Sequence, residues 1–450
     1  MRQTRVTGSY FMRLLGATYL GQRMLSRWAK RRFTTNGLLV GLGMVLTIGT
    51  ASTEQTMGFA AFLVLSSMWV MALLIAPFFR GRFTIERHVP RLATAGERFT
   101  VSVRLHNASG RVQGGLEYLE DLRDPRLSAQ DVARRLRIGF AGGLPYSIRS
   151  AKVSPQSLPV LLPDARCDIE VGITAFRRGP LVLAAGVVAR TDPFGLFRAV
   201  IRIPSAQTVL VMPRRYPLPP LALPGQAQHQ QGGVALASSV GESEEVISLR
   251  EYRRGDPMKR VHWRSTARTG RLVVKEFQDE WFVRHALVLD TFCPPQHDEQ
   301  FEEAVAVAAS FACTIPDQES LLDLLLVGTT AVCVTSGRGL GHTQQMLEVL
   351  AAVKPSRDPR LDALETLVLQ HRAALSGCVL VLLAWDEPRR ALVKRLKAMC
   401  LPVLVLLVRG SGEREPIERG APEEQPDRMI LLEAGRIGED LQQLGHQPCV

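Results

Sequence analysis

Between residues 57 and 79 the chain carries 23 consecutive residues without a charge, eleven of them Leu, Ile, Val or Phe. Such a run predicts a membrane-spanning helix. At ~1.5 Å per residue it crosses the ~30 Å hydrocarbon core with some tilt, and its apolar side chains favour insertion by roughly 3 to 7 kcal/mol. Pro77 near its end is tolerable in lipid. A second, weaker span is expected over 33–50, where Thr34, Thr35 and Asn36 dilute the start and four glycines interrupt the run. Gly37 and Gly41 there read either as a G-x-x-x-G that permits close helix approach or as chance in a Gly-rich helix. The loop 51–56 between the spans has only Glu54, whereas Arg31, Arg32, Arg80 and Arg82 flank the outer ends. The excess of basic residues on one side predicts a two-helix transmembrane hairpin over 33–80. Both termini and the large C-terminal region then lie in the cytoplasm, at the plasma membrane.

The formal charge of +12 invites a nucleic-acid reading, but the charge is local. Residues 1–32 hold eight Lys/Arg and no acid. This basic juxtamembrane segment reads as an amphipathic helix on an anionic leaflet, with Leu14, Ala17, Met24 and Trp28 at helical spacing, or as an unstructured basic arm. The charged region is too long for a cleavable signal peptide. Seven scattered cysteines, none in a C-x-x-C pair, indicate neither a disulfide framework nor a zinc site, and reduced thiols fit the cytosol.

Residues 83–213 read as a β-sandwich-like domain: short strand runs such as ERFTVSVRLHN and CDIEVGITAF alternate between Gly, Asn and Pro breaks. Within it the basic run 134–143 reads as a solvated loop or hairpin. TDPFGLF (191–197) reads as a structural turn, started by Asp192-Pro193, in which Gly195 lets Phe194 and Leu196 fold back onto the core. Residues 214–245, first Pro-rich and then Gly/Ser/Gln-rich, read as a flexible linker, either a plain tether or a loop that covers the basic stretch after it. From 285 to 450 strands and helices alternate, which predicts a mainly parallel sheet with helices on both faces. The stretch 409–428 within it is a charged loop.

Residues 246–284 form a basic core. From Arg250 to Lys275 nine Lys/Arg face two acids, Glu251 and Asp256. ISLREY and RLVVKEF read as strands. Asp256, Pro257 and Gly270 read as the N-cap, first position and stop of a helix over 258–269. Trp263 reads as a packing anchor and His262 as a hydrogen-bonded structural group. Some basic residues are expected to pair with Glu251, Glu276, Asp279 and Glu280.

The run R-x-Y-x-x-G-D, then R-x-x-W-x-x-x-A-R and L-x-V-x-x-F, resembles the defining core of a bacterial family known only as a domain of unknown function, number fifty-eight in its series. Its matching residues are Arg250, Tyr252, Gly255, Asp256, Arg260, Trp263, Ala267, Arg268, Leu272, Val274 and Phe277. FRRGP (176–180) and TDPFGLF look like the same family. The resemblance implies an association with MoxR-type AAA ATPases and a von Willebrand factor A-like C-terminal part. The metal-binding form of that fold carries D-x-S-x-S after its first strand. The equivalent here is Asp290, Thr291, Phe292, Cys293 and Pro294, where Phe and Pro supply no side-chain oxygen. Asp290 and Thr291 therefore read as a degraded remnant of a metal site, with Asp290 capping the following turn and Asp386 a second acid at that edge.

The chain is thus expected to be a membrane-anchored, multidomain protein without a catalytic set, a cofactor or a metal. GRGLG (337–341) lacks the lysine and spacing of a phosphate loop. The expected function is a scaffold or adaptor binding a protein partner, an AAA ATPase of MoxR type, besides the bilayer itself. A homo-oligomer is compatible with this, and no nucleic acid is expected. The alternative is a ligand-binding or hydrolytic module for a phosphate-bearing substrate at the Arg-rich core, since a guanidinium matches phosphate geometry.

Overall fold

A computed structural model of the chain describes residues 32–50, 56–75, 78–123, 150–219, 228–230, 246–277, 280–293, 298–314, 320–328, 330–337, 342–356, 361–410 and 420–443. The basic segment before residue 32, the run 134–143, most of the 214–245 stretch, the centre of the 409–428 loop and Asp279 lie outside the described residues. The protein is mixed α/β with several sheets, one of them mixed parallel, in two compact units, Met1–Met212 and Pro213–Val450.

The first unit begins with α1 (Thr35–Thr50) and α2 (Thr56–Ile75), which pack side by side. Of the described helices, α2 alone is long and apolar enough to cross a membrane, by length and composition; α1 is shorter. The strands of this unit are β1 (Phe83–His88), β2 (Leu92–Thr94), β3 (Arg98–Asn107), β4 (Leu116–Arg123), β5 (Ala151–Val153), β6 (Gln156–Ser157), β7 (Arg166–Ala175), β8 (Gly179–Thr191) and β9 (Arg198–Met212). They form two sheets, β1-β3-β7-β5 and β2-β9-β8-β4-β6. Period-two alternation explains why they enclose one core: Val101, Val103 and Leu105 of β3 and Val171 and Ile173 of β7 point inward to meet Tyr118, Leu183 and Val209.

The TDPFGLF turn joins β8 to β9. Leu196 and Phe197 are buried, but against Phe33, just before α1, and Val40, Met68, Trp69 and Ala72 of the helical pair rather than in the sheet core, and Phe194 stays exposed. The expectation that Phe194 and Leu196 return to the sheet core is therefore corrected. The turn is held at the helices by Thr34, whose hydroxyl donates to the Gly195 and Leu196 carbonyls, and by the Phe33 and Trp69 rings against Phe197. The glycine reading is also resolved. A Cβ on Gly37 would collide with the Leu196 carbonyl oxygen, and one on Gly41 would meet nothing, so the Gly37/Gly41 pair is no helix–helix seam.

The second unit opens on a segment that the sequence assigns to a flexible linker. Its first residues are instead strapped down: the Tyr216 N–H donates to Ser310 Oγ at 2.7 Å, and the Tyr216 hydroxyl to Glu303 at 2.5 Å, with Arg214 over the Tyr216 ring. The elements are β10 (Gln228–Gln230), β11 (Val246–Glu251), α3 (Trp263–Thr269), β12 (Val273–Phe277), β13 (Glu280–Phe282), β14 (Arg284–Leu289), α4 (Asp298–Thr314), β15 (Leu321–Val327), β16 (Ala331–Ser336), α5 (Thr343–Ala352), α6 (Leu361–His371), β17 (Gly377–Leu382), α7 (Glu387–Ala398), β18 (Val403–Arg409), β19 (Arg428–Glu433) and α8 (Ile437–Gln443). As the alternation predicts, six strands build a sheet in the order β16-β15-β14-β17-β18-β19, parallel except for the edge strand β16. Its central strands are buried along their whole length, as both-face burial requires. At the other end of β14, Arg284 forks onto Asp323 at 2.7 and 2.9 Å, and the Thr335 hydroxyl donates to the same carboxylate, tying β14, β15 and β16 together.

His285, also on β14, is buried, and its Nδ1 has no hydrogen-bond partner among the described residues. Burial pushes its pKa down to about 4. The ring is neutral in the folded protein and titrates near ~6.5 once unfolded. Its contribution to stability is therefore complete above ~6.5 and is lost as the pH falls through the folded value. The melting temperature of the second unit is expected to drop as pH is lowered between these limits, and a His285→Leu variant to drop less. Equal acid sensitivity in the two proteins would refute the assignment.

Candidate functional site

The basic core folds as a hairpin with a helix inserted in it. β11 and β12 pair antiparallel, with Leu249 opposite Lys275 and Arg250 opposite Val274. The sequence predicts one helix over 258–269; the structure breaks it into a 3-10 turn, Met258–Arg260, and α3. The cause is Val261. Its backbone bridges to Val274, and the neighbouring His262 N–H donates to the Val273 carbonyl at 2.8 Å, so the chain returns to the strand before a second turn can form. Val261, Val273 and Val274 make the buried contact. His262 Nδ1 lies 2.7 Å from Ser265 Oγ, a local structural role as expected. Gly270 ends the helix at φ +72°, where the sequence places the stop.

Asp256 is not the helix cap. Its carboxylate takes both arms of the Arg250 guanidinium, at 2.7 and 2.9 Å, and the Arg253 N–H at 2.8 Å. The Arg250 hydrogen bond, aided by the Arg253 N–H, holds its pKa down at about 2. A bidentate guanidinium is a better partner for a carboxylate than the weak dipole of a three-residue turn. Gly255 sits at φ +110°, a backbone that suits glycine, and completes the R-R-G-D turn. The Tyr252 N–H closes it on the Leu272 carbonyl.

Arg250 is thus architectural. Arg253, Arg254, Lys259, Arg260, Arg264, Arg268 and Arg271 are exposed, as is Ala267. Arg271 bridges Glu251 at 2.9 Å, an exposed pair of small energetic value. Trp263 is 62% exposed, and Met258, Leu249 and Leu272 lie open as well. The packing-anchor reading of Trp263 is overturned: α3 has seven residues, none of them buried, and its first position lies outside.

The second candidate lies where β14 and β17 end, the point at which strand order reverses and open α/β sheets bind ligands. Asp290, fully buried, accepts the Phe292 N–H at 2.9 Å and the Leu383 N–H at 3.2 Å, so it caps the following turn as expected. It also receives Arg389 Nε at 2.7 Å. The same guanidinium reaches Asp386 at 2.5 Å and the Phe292 carbonyl at 3.2 Å, while Asp386 caps α7 through the Arg389 N–H. The Thr291 hydroxyl donates to the Val327 carbonyl. Burial opposes the charge on Arg389, but the two aspartates outweigh it and raise the pKa of the guanidinium. The two acids that the sequence singles out do meet, yet around an arginine that sequence reasoning missed. The available signal was its i+3 spacing from Asp386. Among the described residues no three His, Cys, Asp or Glu side chains cluster to hold a metal ion.

Removing Arg389 leaves a buried carboxylate uncompensated, which typically costs ~3–5 kcal/mol. Arg389→Met is expected to lower the melting temperature sharply and Arg389→Met with Asp290→Asn less so. Millimolar Mg²⁺ is expected to leave the wild-type melt unchanged. A Mg²⁺-dependent rise in the wild-type protein would overturn the account of a resident guanidinium.

Residues 248–406 match the family model described as Protein of unknown function DUF58, from within β11 to within β18. A 126-residue stretch is 29% identical to the uncharacterized protein YeaD of Bacillus subtilis (strain 168), covering 28% of this chain and 31% of that protein, about a third of the relative's length. Among solved structures, the CARDB domain of the PF1109 protein from Pyrococcus furiosus, crystallised with di-metal ions, aligns at 12% identity over 30% of this chain and 90% of its own, with a TM-score of 0.18. A Salmonella alpha-2-macroglobulin aligns at 13% identity over 33% of this chain and 8% of its own, with a TM-score of 0.18. Likenesses at that score say nothing further about the fold. The resemblance to the DUF58 proteins of unknown function is thus shown over residues 248–406, the R-x-Y-x-x-G-D hairpin and most of the sheet beyond it.

Proposed function

We propose that the chain is a membrane-anchored scaffold whose basic hairpin docks a protein partner without chemistry of its own. In this reading α1 and α2 form a transmembrane hairpin, and both termini and everything after residue 82 lie in the cytoplasm. The exposed Arg32, Arg80 and Arg82 at the outer ends support that orientation. The second unit is read as von Willebrand factor A-like. Numbered along the chain, its sheet has the doubly wound order 3-2-1-4-5-6 with the third strand reversed, and an acid follows the first strand.

The observation that carries the docking role is the outward display of Arg264, Arg268 and Trp263 on a short, rigidly closed hairpin. Arg and Trp are the side chains that most often dominate binding at protein interfaces, and a basic face selects a partner with acidic surface. The family resemblance names the partner class, an AAA ATPase of MoxR type. The internal neutralisation of Asp290 favours binding over metal-dependent catalysis at the sheet end.

Extraction of the full chain in mild detergent is expected to recover a stoichiometric protein partner. Reversing Arg264 and Arg268 to Glu is expected to lower that recovery by ~10-fold or more, since like charges across an interface cost several kcal/mol. Recovery of no stoichiometric partner, or equal recovery with the reversed charges, would defeat the proposal.

A further inference from the structure

The turn between β8 and β9 is built to tolerate a medium poorer in hydrogen bonds than water. Every N–H from residue 192 to residue 197 is satisfied within it. The Asp192 N–H donates to the Phe197 carbonyl, and the Gly195 N–H to the Asp192 carbonyl. The N–H groups of Phe194, Leu196 and Phe197 all donate to the Asp192 carboxylate, at 3.3, 2.7 and 2.8 Å. Pro193 has no N–H to satisfy. The Gly195 and Leu196 carbonyls accept from the Thr34 hydroxyl, and the Leu196 carbonyl also from the Thr34 N–H. What such a turn shows outward is Pro193 and Phe194, the latter 40% exposed.

Its height along α2 is fixed by packing. Leu196 and Phe197 rest against Met68, Trp69 and Ala72, with the Trp69 and Phe197 rings 4.9 Å apart and Phe33 stacked 5.7 Å from Trp69. Ala72 and Met68 stand three and seven residues before Ile75, which places the turn ~4–10 Å below the end of the helix. α2 has 20 residues, ~30 Å, and so needs its whole length to fill the hydrocarbon layer. At the level of the turn its other sides expose Val70, Met71, Leu73 and Leu74, so an apolar medium must reach that level.

We infer that the 191–197 turn is itself a lipid-contacting element. It lies at the headgroup–acyl boundary beside α2, with Phe194 directed into lipid, and it seats the β-rich unit directly on the bilayer. The depth matches that of interfacial elements, ~5–10 Å. Just beyond α2, Phe78 is 78% exposed, and the exposed guanidiniums of Arg80 and Arg82 come within four residues of it, an aromatic-then-basic order suited to acyl chain and then phosphate. The inference rests on α2 crossing the bilayer; it adds that the turn enters it.

The test uses the full chain in phosphatidylethanolamine/phosphatidylglycerol vesicles doped with photoactivatable lipids, the reactive group placed either near the headgroup or at the acyl end. Labelled peptides are then mapped by mass spectrometry. The expected result is labelling of the 193–197 and 78–82 peptides by the shallow probe and of the middle of α2 by the deep probe. Labelling of α2 without the 193–197 peptide overturns the inference and leaves the crossing intact. Absence of deep labelling on α2 removes the crossing, and the inference with it.

Discussion

A carboxylate withdrawn from water must be met by donors that the fold itself supplies, because burying it unpaired costs several kcal/mol. At Asp290 the donors are two backbone N–H groups and the Arg389 guanidinium, and they join three separate pieces of the second unit: the end of β14, the end of β17 and the start of α7. The arrangement is a clamp, since each donor sits on a different segment. The depth of the apolar sheet around it makes the clamp obligatory. With β14, β15 and β17 buried along their length, no water is at hand to solvate the charge.

The same device recurs at smaller scale. Asp192 gathers three consecutive-turn N–H groups and closes the β8–β9 turn. Asp256 gathers Arg250 and the Arg253 N–H and closes the turn of the basic hairpin. These two differ in what they leave behind. The Asp192 turn consumes its polar groups and presents Pro193 and Phe194, whereas the Asp256 turn consumes one guanidinium and leaves the basic residues from Arg253 to Arg271 outside. A single local chemistry therefore produces one apolar and one cationic surface, according to whether the residues around the aspartate are Phe and Leu or Arg and Lys.

Periodicity made the strand–helix alternation of the second unit legible, because burial on both faces forces long apolar runs and amphipathic helices that a linear reading detects. The hairpin strands were legible for the same reason. The break of the basic helix was not, since it depends on Val261 meeting Val274, a pairing across thirteen residues that no local propensity encodes. Trp263 was misjudged because its average burial says nothing about a seven-residue helix with only a two-stranded ribbon beneath it. TDPFGLF announced its turn through Asp, Pro and Gly, but not its partner. That partner is set by Gly37, whose missing side chain lets α1 approach the Leu196 carbonyl. Arg389 lay hidden among the arginines of a helix whose other basic residues are surface ion pairs, such as Arg395 with Glu365 and Lys394 with Glu423.

The position of Arg389 also bears on where activity can reside. In open α/β sheets the crevice beside the reversal of strand order is the ordinary place for a ligand, because the strand ends diverge there and leave backbone groups facing outward. Here the diverging ends of β14 and β17 are drawn together by Asp290, and the guanidinium that a phosphate or a metal ion would have to displace is held by two carboxylates and a carbonyl. Displacement would strand Asp290 without a counter-charge, so a ligand entering the crevice meets an energetic cost. On the hairpin, by contrast, Arg253, Arg254, Arg264 and Arg268 are displayed on an exposed surface rather than aimed at a point. In the scaffold reading proposed above, a surface of that kind would discriminate partners by charge and shape over an extended area.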